Sequence, residues 1–286
     1  MTTSGVAANP ESTFSLVLAT AAGLPGVRID RADYLRSALA RHCSEEQIRV
    51  AIDDSPAAAG IPLDLLDRLA DDSIRYEAAK ASAISAAAGI PGFVFMAATV
   101  PADLAQYLGH MLRVAQKLAY LYSWPDLLSG DADDLDDATK GVLTLFVGVM
   151  FGAQSANTAV GQVAGMLSKQ ALKRLPRQAL TKGVIYPVVK KVAGYLGARM
   201  TTQTFASAVS KAIPVIGAVV SGGITLATFL PMAKKLKSHL SGLELTTSSP
   251  RADAPHVVDV DVVDVSETSD HAVRLHGERD AHTGDR

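Results

Sequence analysis

The stretch PADLAQYLGHMLRVAQKLAYLY, residues 101–122, decides the fold class of this chain. Pro101 suits the first position of a helix, and apolar side chains then recur at the three- and four-residue spacing of a helix face. Trp124 and Pro125 follow the last tyrosine, and a residue before proline disfavours the helical conformation. The stretch therefore predicts a long helix that is apolar over most of its circumference and ends near Tyr122.

One narrow stripe of this helix is polar. Its members recur at helical spacing and therefore share one face; they are Asp103, Gln106, His110, Arg113 and Lys117. Two interpretations remain open. The stripe is either a solvated face or a buried polar cluster that lines a pocket, with Asp103 and Arg113 holding neighbouring helices.

Helical patterns continue on both sides of this stretch. Asp30 has the position of an N-cap, and Ser44 and Gln47 have the spacing of a capping box. Pro62 suits a first helical position, and Asp136 lies where a helix N-terminus favours negative charge. Only HVVDVDVVDV, residues 256–265, alternates with the period of a strand. We therefore predict an all-α fold, a single multi-helix domain with Gly-rich, tightly packed apolar helices and disordered termini.

The chain divides into three parts by composition. We expect a loose N-terminal segment at 1–29, a helical domain at 30–243 and a disordered acidic tail at 244–286. The single cysteine, Cys43, allows no internal disulfide, and no Lys or Arg precedes Arg28 where a signal peptide would need one. These features predict a cytoplasmic protein.

Charge is strongly segregated along the chain. Residues 1–137 carry 10 Lys and Arg against 19 Asp and Glu, residues 138–243 carry 13 against none, and residues 244–286 carry 4 against 10. Such a basic segment attracts anions. The candidate partners are anionic membrane lipids, a membrane protein complex, or the protein's own acidic half. We expect no nucleic acid, because no nucleic-acid-binding motif accompanies the charge.

The basic residues that we expect to contact lipid or a partner form clusters that Gly-rich apolar runs separate. They are Lys169, Lys173, Arg174, Arg177, Lys182, Lys190, Lys191 and Arg199.

A helix of about twenty apolar residues is long enough to cross a membrane. Three uncharged runs reach this length, namely 81–102, 141–168 and 212–233. Each is interrupted by proline, glycine or polar residues. In the third run, AIPVIGAVVSGGITLATFLPMA, Pro214 and the Gly222–Gly223 pair leave a predicted helix from Val215 to Leu230. A membrane span, a helix pressed into the membrane surface, and a helix in a soluble core all remain open.

Glycines in these runs have the spacing that lets two helices approach closely. We predict close helix packing at Gly148, Gly152, Gly161, Gly165, Gly217, Gly222 and Gly223.

Taken together, these elements resemble the EcsC protein family, bacterial proteins named after a component encoded with an ABC transporter. The resemblance is carried by GIPG at 89–92, by the helix at 101–122, and by KAIPVIGAVVSGGITLATF at 211–229. Family helices often continue from the final tyrosine into glycine, where this chain has Ser123. The resemblance implies a helical bacterial protein at the inner face of the membrane. It carries over no catalytic residue, and a link to a transporter-type complex is an analogy.

Motifs for catalysis are absent from the sequence. There is no G-x-S-x-G, H-E-x-x-H, P-loop or G-x-G-x-x-G pattern, and the acidic residues 131–137 lack the glycine and distal glutamate of an EF-hand. We predict no catalytic residue, no metal and no cofactor. The main hypothesis is a non-enzymatic protein that associates peripherally with an anionic membrane surface or a membrane complex. The alternative is a soluble helical module that binds an apolar ligand such as a lipid; a hydrolase using Asp103, His110 and Arg113 is a weaker third.

Overall fold

Eleven α-helices and no strand are formed by the residues that the computed structural model describes, 9–88, 102–127, 135–169, 174–210 and 217–247. In chain order they are α1 (Pro10–Ala22), α2 (Arg31–Leu39), α3 (Glu45–Asp53), α4 (Leu63–Ala88), α5 (Ala102–Leu121), α6 (Asp137–Met150), α7 (Gln154–Lys169), α8 (Arg177–Thr181), α9 (Tyr186–Ser210), α10 (Gly217–Ser241) and α11 (Glu244–Thr247). The prediction of an all-α, multi-helix domain is confirmed.

Helices α5 and α6 form the centre of the domain. Almost every side chain from Leu108 to Leu121 and from Ala138 to Met150 is buried. Trp124, just after α5, packs edge-to-face on Phe146 of α6 with ring centroids 4.9 Å apart. Helices α1, α2, α4, α6 and α10 pack on α5, and α7, α8, α9 and α10 pack on α6. The apolar surface of α5 is therefore covered by other helices.

Three predicted helix starts are confirmed by their hydrogen bonds. Asp30 accepts from the backbone N–H of Asp33 at 2.7 Å. The capping box is complete, because Ser44 Oγ accepts from the N–H of Gln47 at 3.2 Å and Gln47 Oε1 accepts from the N–H of Ser44 at 3.0 Å. Asp136 accepts from the N–H of Thr139 at 2.7 Å. These side chains satisfy backbone donors that a helix start leaves without an intrahelical partner.

The prediction of a loose segment at 1–29 is wrong for residues 9–29, because α1 belongs to the core. Phe14, Val17 and Leu18 are buried, and α1 packs on α5 and α9. Its contact with α9 is close at Gly197, where an added Cβ would overlap the backbone of Pro10. A short apolar run gains stability only when another helix covers it, and α9 comes from far along the chain. Residues 1–8 lie outside the described residues.

The second uncharged run, 141–168, forms two helices rather than one. Helix α6 ends in a turn at Gly152, whose φ is 81°. The N–H of Gly152 bonds to the carbonyl of Val149, and that of Ala153 bonds to the carbonyl of Gly148, both at 2.9 Å. This is the glycine-terminated helix end known as a Schellman motif. Gly152 therefore terminates α6, and the prediction that it mediates close helix packing is wrong.

Helix α10 differs from the predicted segment Val215 to Leu230, because it continues through Pro231 to Ser241. A proline inside a helix removes one backbone hydrogen bond. Buried contacts on both sides of it, from Phe229, Ala233 and Leu236, keep the helix continuous against the core. Residues 211–216, and most of the first uncharged run with its GIPG motif, lie outside the described residues.

No helix in the described part of the chain is both long enough and apolar enough to cross a membrane.

The predicted boundary of the tail at residue 244 is too early. Helix α11 packs on α7, and Thr246 is buried. The hydroxyl of Thr246 donates to the carbonyl of Leu240 at 2.9 Å and lies 3.4 Å from that of Tyr122. The folded domain therefore includes residues 244–247, and residues 248–286 lie outside the described residues.

Ser123 ends α5 with a φ of 68°, in the left-handed region where glycine is favoured. The N–H of Trp124 bonds to the carbonyl of Ala119 at 2.9 Å, as a Schellman turn requires. Ser123 Oγ also accepts from the N–H of Ala57 at 3.1 Å. The serine thus ties the end of α5 to the loop before α4, which a glycine there would not do.

Candidate functional site

The polar stripe of α5 meets a carboxylate from α4. Nδ1 of His110 lies 3.1 Å from Oε2 of Glu77, and Nε of Arg113 donates to both carboxylate oxygens at 3.0 Å. Nζ of Lys117 donates to Oε1 at 2.7 Å. Three side chains on successive turns of one helix therefore share a single carboxylate of the neighbouring helix. We call these four residues the Glu77 cluster.

Burial determines the electrostatics of the Glu77 cluster. The side chain of Glu77 is 0% exposed, and those of His110, Arg113 and Lys117 are 12%, 18% and 10% exposed. Burial by itself would raise the pKa of Glu77, but the hydrogen bonds from the three basic side chains outweigh it and lower the pKa to about 2. Glu77 is therefore ionised at neutral pH and neutralises one of the two permanent cations beside it.

Aromatic rings complete the surroundings of Lys117. Its Nζ lies 4.9 Å from the ring centre of Tyr76 and 5.7 Å from that of Tyr34. The hydroxyl of Tyr34 lies 2.8 Å from Oγ of Ser73, and burial raises the pKa of this tyrosine. Cation–π contacts stabilise a desolvated ammonium group. The cluster thus links α2, α4 and α5.

Three of the five stripe residues, His110, Arg113 and Lys117, belong to a buried polar cluster, whereas the pocket that the buried-cluster interpretation also expected stays a prediction. Arg113 holds the neighbouring helix α4, as that interpretation expected. Gln106 is exposed and takes no part. The side chain of Asp103 lies outside those that the structure describes.

Sequence reasoning missed Glu77, although a signal was present. Ala70, Ile74, Glu77, Ala78 and Ala81 recur at helical spacing and are all buried. A carboxylate in the middle of an apolar helix face requires a buried partner. That pattern indicates a buried ion pair, but it does not show which helix provides the cation.

The surroundings of His110 bear on the hydrolase hypothesis. His110 is oriented by Glu77, but no described serine, threonine or cysteine hydrogen-bonds to its ring. A nucleophile within hydrogen-bond reach of the base is what such chemistry requires. No group of three or more His, Cys, Asp or Glu side chains that could hold a metal occurs in the part of the chain that the structure describes.

Part of the basic region is neutralised by the acidic half of the chain. Arg177 pairs with Asp136 at 2.8 Å, and Lys190 lies 3.7 Å from Glu11. On α10, Lys237 pairs at 2.9 Å with Asp71 of α4. Arg199 donates to the hydroxyl of Tyr195 and lies over its ring. For Arg177, Lys190 and Lys237, the ion pairs favour the hypothesis that the two halves neutralise each other.

Four other basic residues are exposed and form no ion pair with any described residue. We call them the unpaired cations; they are Lys169, Arg174, Lys182 and Lys191. Lys173 lies outside the described residues. The charge segregation seen in the sequence thus leaves a surplus of positive charge along α7, α8 and α9.

An open groove of about 680 Å³ lies beside Lys169. We call it the α7 groove. Its walls come from α7, the loop before α9, and the segment around α11; they include Gly161, Gly165, Met166, Lys169, Val184, Gly242, Leu243 and Glu244. Val184 is 74% exposed. Lys182 lies two residues before it, so two of the unpaired cations are at or near the groove.

The prediction of close helix packing is confirmed for Gly148 and wrong for Gly161 and Gly165. A Cβ at Gly148 would lie 2.5 Å from Val192 Cγ1 and 2.8 Å from Ala156 Cβ, so α6 contacts α7 and α9 closely there. At Gly161 and Gly165 no described atom lies within 4 Å of the added Cβ. These two glycines line the α7 groove instead. Gly217, Gly222 and Gly223 lie in α10, in a part whose surroundings are outside the described residues.

Comparison of the chain with protein-family models, with curated proteins and with solved structures finds no match.

Proposed function

We propose that this protein is a non-enzymatic, peripheral membrane-binding protein that attaches to an anionic lipid surface through the unpaired cations and the α7 groove. The observation that carries the proposal is the set of exposed basic side chains without an acidic partner among the described residues. The proposal places the protein at the inner face of a bacterial membrane, as the EcsC resemblance implies.

The physical basis is electrostatic attraction assisted by apolar contact. Each Lys or Arg near an anionic bilayer contributes about 1 kcal/mol to binding, and the contribution falls with added salt. Val184, with most of its surface exposed, gives the same region an apolar contact. An interfacial protein combines these two elements without crossing the membrane.

A second candidate function is binding of an apolar ligand, such as a lipid chain, in the α7 groove. The groove walls include Met166, Val184 and Leu243, which give an apolar ligand side chains to contact. Native mass spectrometry of the purified protein checks this candidate: a bound lipid that is lost in Gly165→Leu supports it, and an unliganded spectrum contradicts it.

Flotation with vesicles tests the main proposal. The wild-type protein should float with vesicles containing anionic phosphatidylglycerol, stay behind with neutral phosphatidylcholine vesicles, and be released by high salt. Replacing Lys169 and Lys182 together by glutamine should weaken binding roughly 30-fold, because about 2 kcal/mol of attraction is removed.

The matched control replaces Arg68 and Arg75, two exposed cations of α4 that are paired with Asp64 and Asp72. The change in net charge is the same, yet vesicle affinity should remain close to that of the wild type. Equal losses in both variants, or equal recovery with neutral and anionic vesicles, contradict the proposal. A membrane complex as the partner instead of lipid would leave the protein unbound to protein-free vesicles.

A further inference from the structure

We propose that the α7 groove is also the docking surface for the acidic segment 253–270 of the same chain, which occupies the groove when no membrane is present. One part of the inference rests on the proposed function, namely that this segment competes with anionic lipid for the groove. The docking itself is a contact within the chain and can be tested without lipid.

Charge complementarity is the first argument. The segment contains six acidic residues and no Lys or Arg; they are Asp253, Asp259, Asp261, Asp264, Glu267 and Asp270. Lys169 at the groove wall and Lys182 near it have no acidic partner among the described residues. Glu244 lies on the α11 wall, so the attraction must come from the side of the groove that holds the lysines. Opposite charges that meet in this way fix both the partner and its orientation.

The place where the described chain ends is the second argument. Helix α11 ends at Thr247, and Gly242, Leu243 and Glu244 just before it form one wall of the groove. Six residue steps separate Thr247 from Asp253, and an extended chain of that length reaches about 20 Å. The acidic segment can therefore enter the groove without unfolding any helix. A short tether of this kind gives an effective concentration on the order of millimolar.

The pattern of valines in the segment fits the walls of the groove. In VDVDV, residues 258–262, valine and aspartate alternate. An extended chain directs alternate side chains to opposite sides. Valines can then contact Met166, Val184 and Leu243 while the carboxylates face the lysines. The groove thus offers an apolar and a basic surface to a segment that has an apolar and an acidic side.

Carbodiimide cross-linking of the full chain tests the docking directly, because the reagent joins a lysine to a carboxylate in contact with it. At low salt, peptide mapping by mass spectrometry should find Lys169 and Lys182 joined to residues of 253–270, and these products should disappear in high salt. Lys80 of α4 is the reference lysine. Products at Lys80 as frequent as those at Lys169 and Lys182, or no product with the segment, overturn the docking.

The competition is tested with a full-length variant in which the six acidic residues are replaced by Asn or Gln. Its affinity for phosphatidylglycerol vesicles should exceed that of the wild type about tenfold, as expected for a weak contact relieved at millimolar effective concentration. The charge-matched comparison uses three substitutions in each variant: Asp259→Asn, Asp261→Asn, Asp264→Asn should gain more affinity than Glu278→Gln, Asp280→Asn, Asp285→Asn.

The two proposals fail in different ways. Unchanged vesicle affinity in the six-residue variant, or equal gains in the two three-residue variants, overturns the competition while wild-type binding still supports the proposed function. Cross-links to Lys169 and Lys182 in a protein that never binds vesicles support the docking and contradict the proposed function.

Discussion

Two sets of basic side chains in this molecule have opposite environments. On α5, Arg113 and Lys117 are largely buried and share the carboxylate of Glu77 with His110. Near the α7 groove, Lys169 and Lys182 are exposed and have no acidic partner among the described residues. A buried cation without a counter-charge is costly, whereas an exposed one is hydrated. The first set therefore holds helices together, and the second remains available to an external anion.

The glycines show the same contrast. Gly148 on α6 has side chains of two other helices against it, whereas Gly161 and Gly165 on α7 have no described atom nearby. Residue type and spacing are the same in both places. What differs is how closely described atoms of other helices approach the glycine.

The comparison predicts its largest effect at Glu77. Glu77→Leu should lower the free energy of unfolding by about 3–5 kcal/mol, because Arg113 and Lys117 would remain buried without a counter-charge. Urea unfolding followed by circular dichroism measures the loss. Asp72→Asn, which breaks an exposed pair with Arg75 on the same helix, is the control and should change stability by less than about 0.5 kcal/mol. Similar losses of unfolding free energy in both variants would show that the buried and the exposed ion pairs contribute equally to stability.

The next effect is a dependence of stability on acid. The pKa of Glu77 is lowered from its ordinary 4.5 to about 2 in the folded protein. The unfolded chain therefore takes up this proton at a higher pH than the folded protein does. The stabilisation by Glu77 is complete above about pH 4.5 and is lost as the pH falls to about 2, which amounts to roughly 3 kcal/mol.

Comparison of wild type with Glu77→Gln isolates this contribution. The difference in unfolding free energy between the two proteins should be constant above pH 5 and should shrink between about pH 4.5 and 2. A difference that does not change over this range would show that the basic side chains of the cluster do not favour the ionised form of Glu77.

A smaller effect is expected at the glycines. Gly148→Ala should lower stability by about 1–3 kcal/mol, because the new methyl group meets Val192 and Ala156 in a packed interior. Gly165→Ala should instead raise stability by about 0.5–1 kcal/mol, since alanine favours a helix and the space beside it is open. Thermal unfolding of the two variants distinguishes them by the sign of the change in Tm. Destabilisation by Gly165→Ala would mean that the groove face is packed.

The smallest effect is expected at the unpaired cations. Lys169→Ala and Lys182→Ala should each change the free energy of unfolding by no more than about 0.5 kcal/mol, because no described contact is lost. Each should weaken vesicle binding about fivefold, which corresponds to about 1 kcal/mol. A loss of stability above about 1 kcal/mol in either variant would show that this lysine stabilises the fold, as Arg113 and Lys117 of α5 do.

Helix caps and helix ends could be predicted correctly from the sequence. The caps at Asp30, Ser44 and Asp136 are correct because each depends on hydrogen bonds between residues three apart. The start of α5 near Pro101 and its end near Tyr122 follow from proline restrictions in the same way. Segments that need a distant partner were predicted less well. Helix α1 was assigned to a loose terminus because its partner α9 lies well over a hundred residues away in sequence.

The sequence by itself determined that the chain is helical, that its charge is segregated, and that α5 carries one polar stripe. These follow from composition and from the period of the helix. Only the tertiary structure decided that the stripe faces Glu77, that Gly148 is packed while Gly165 is open, and that Lys169 and Lys182 lack acidic partners among the described residues. The physical reason is that burial depends on what lies opposite a side chain, and that neighbour comes from a part of the chain which local spacing does not specify.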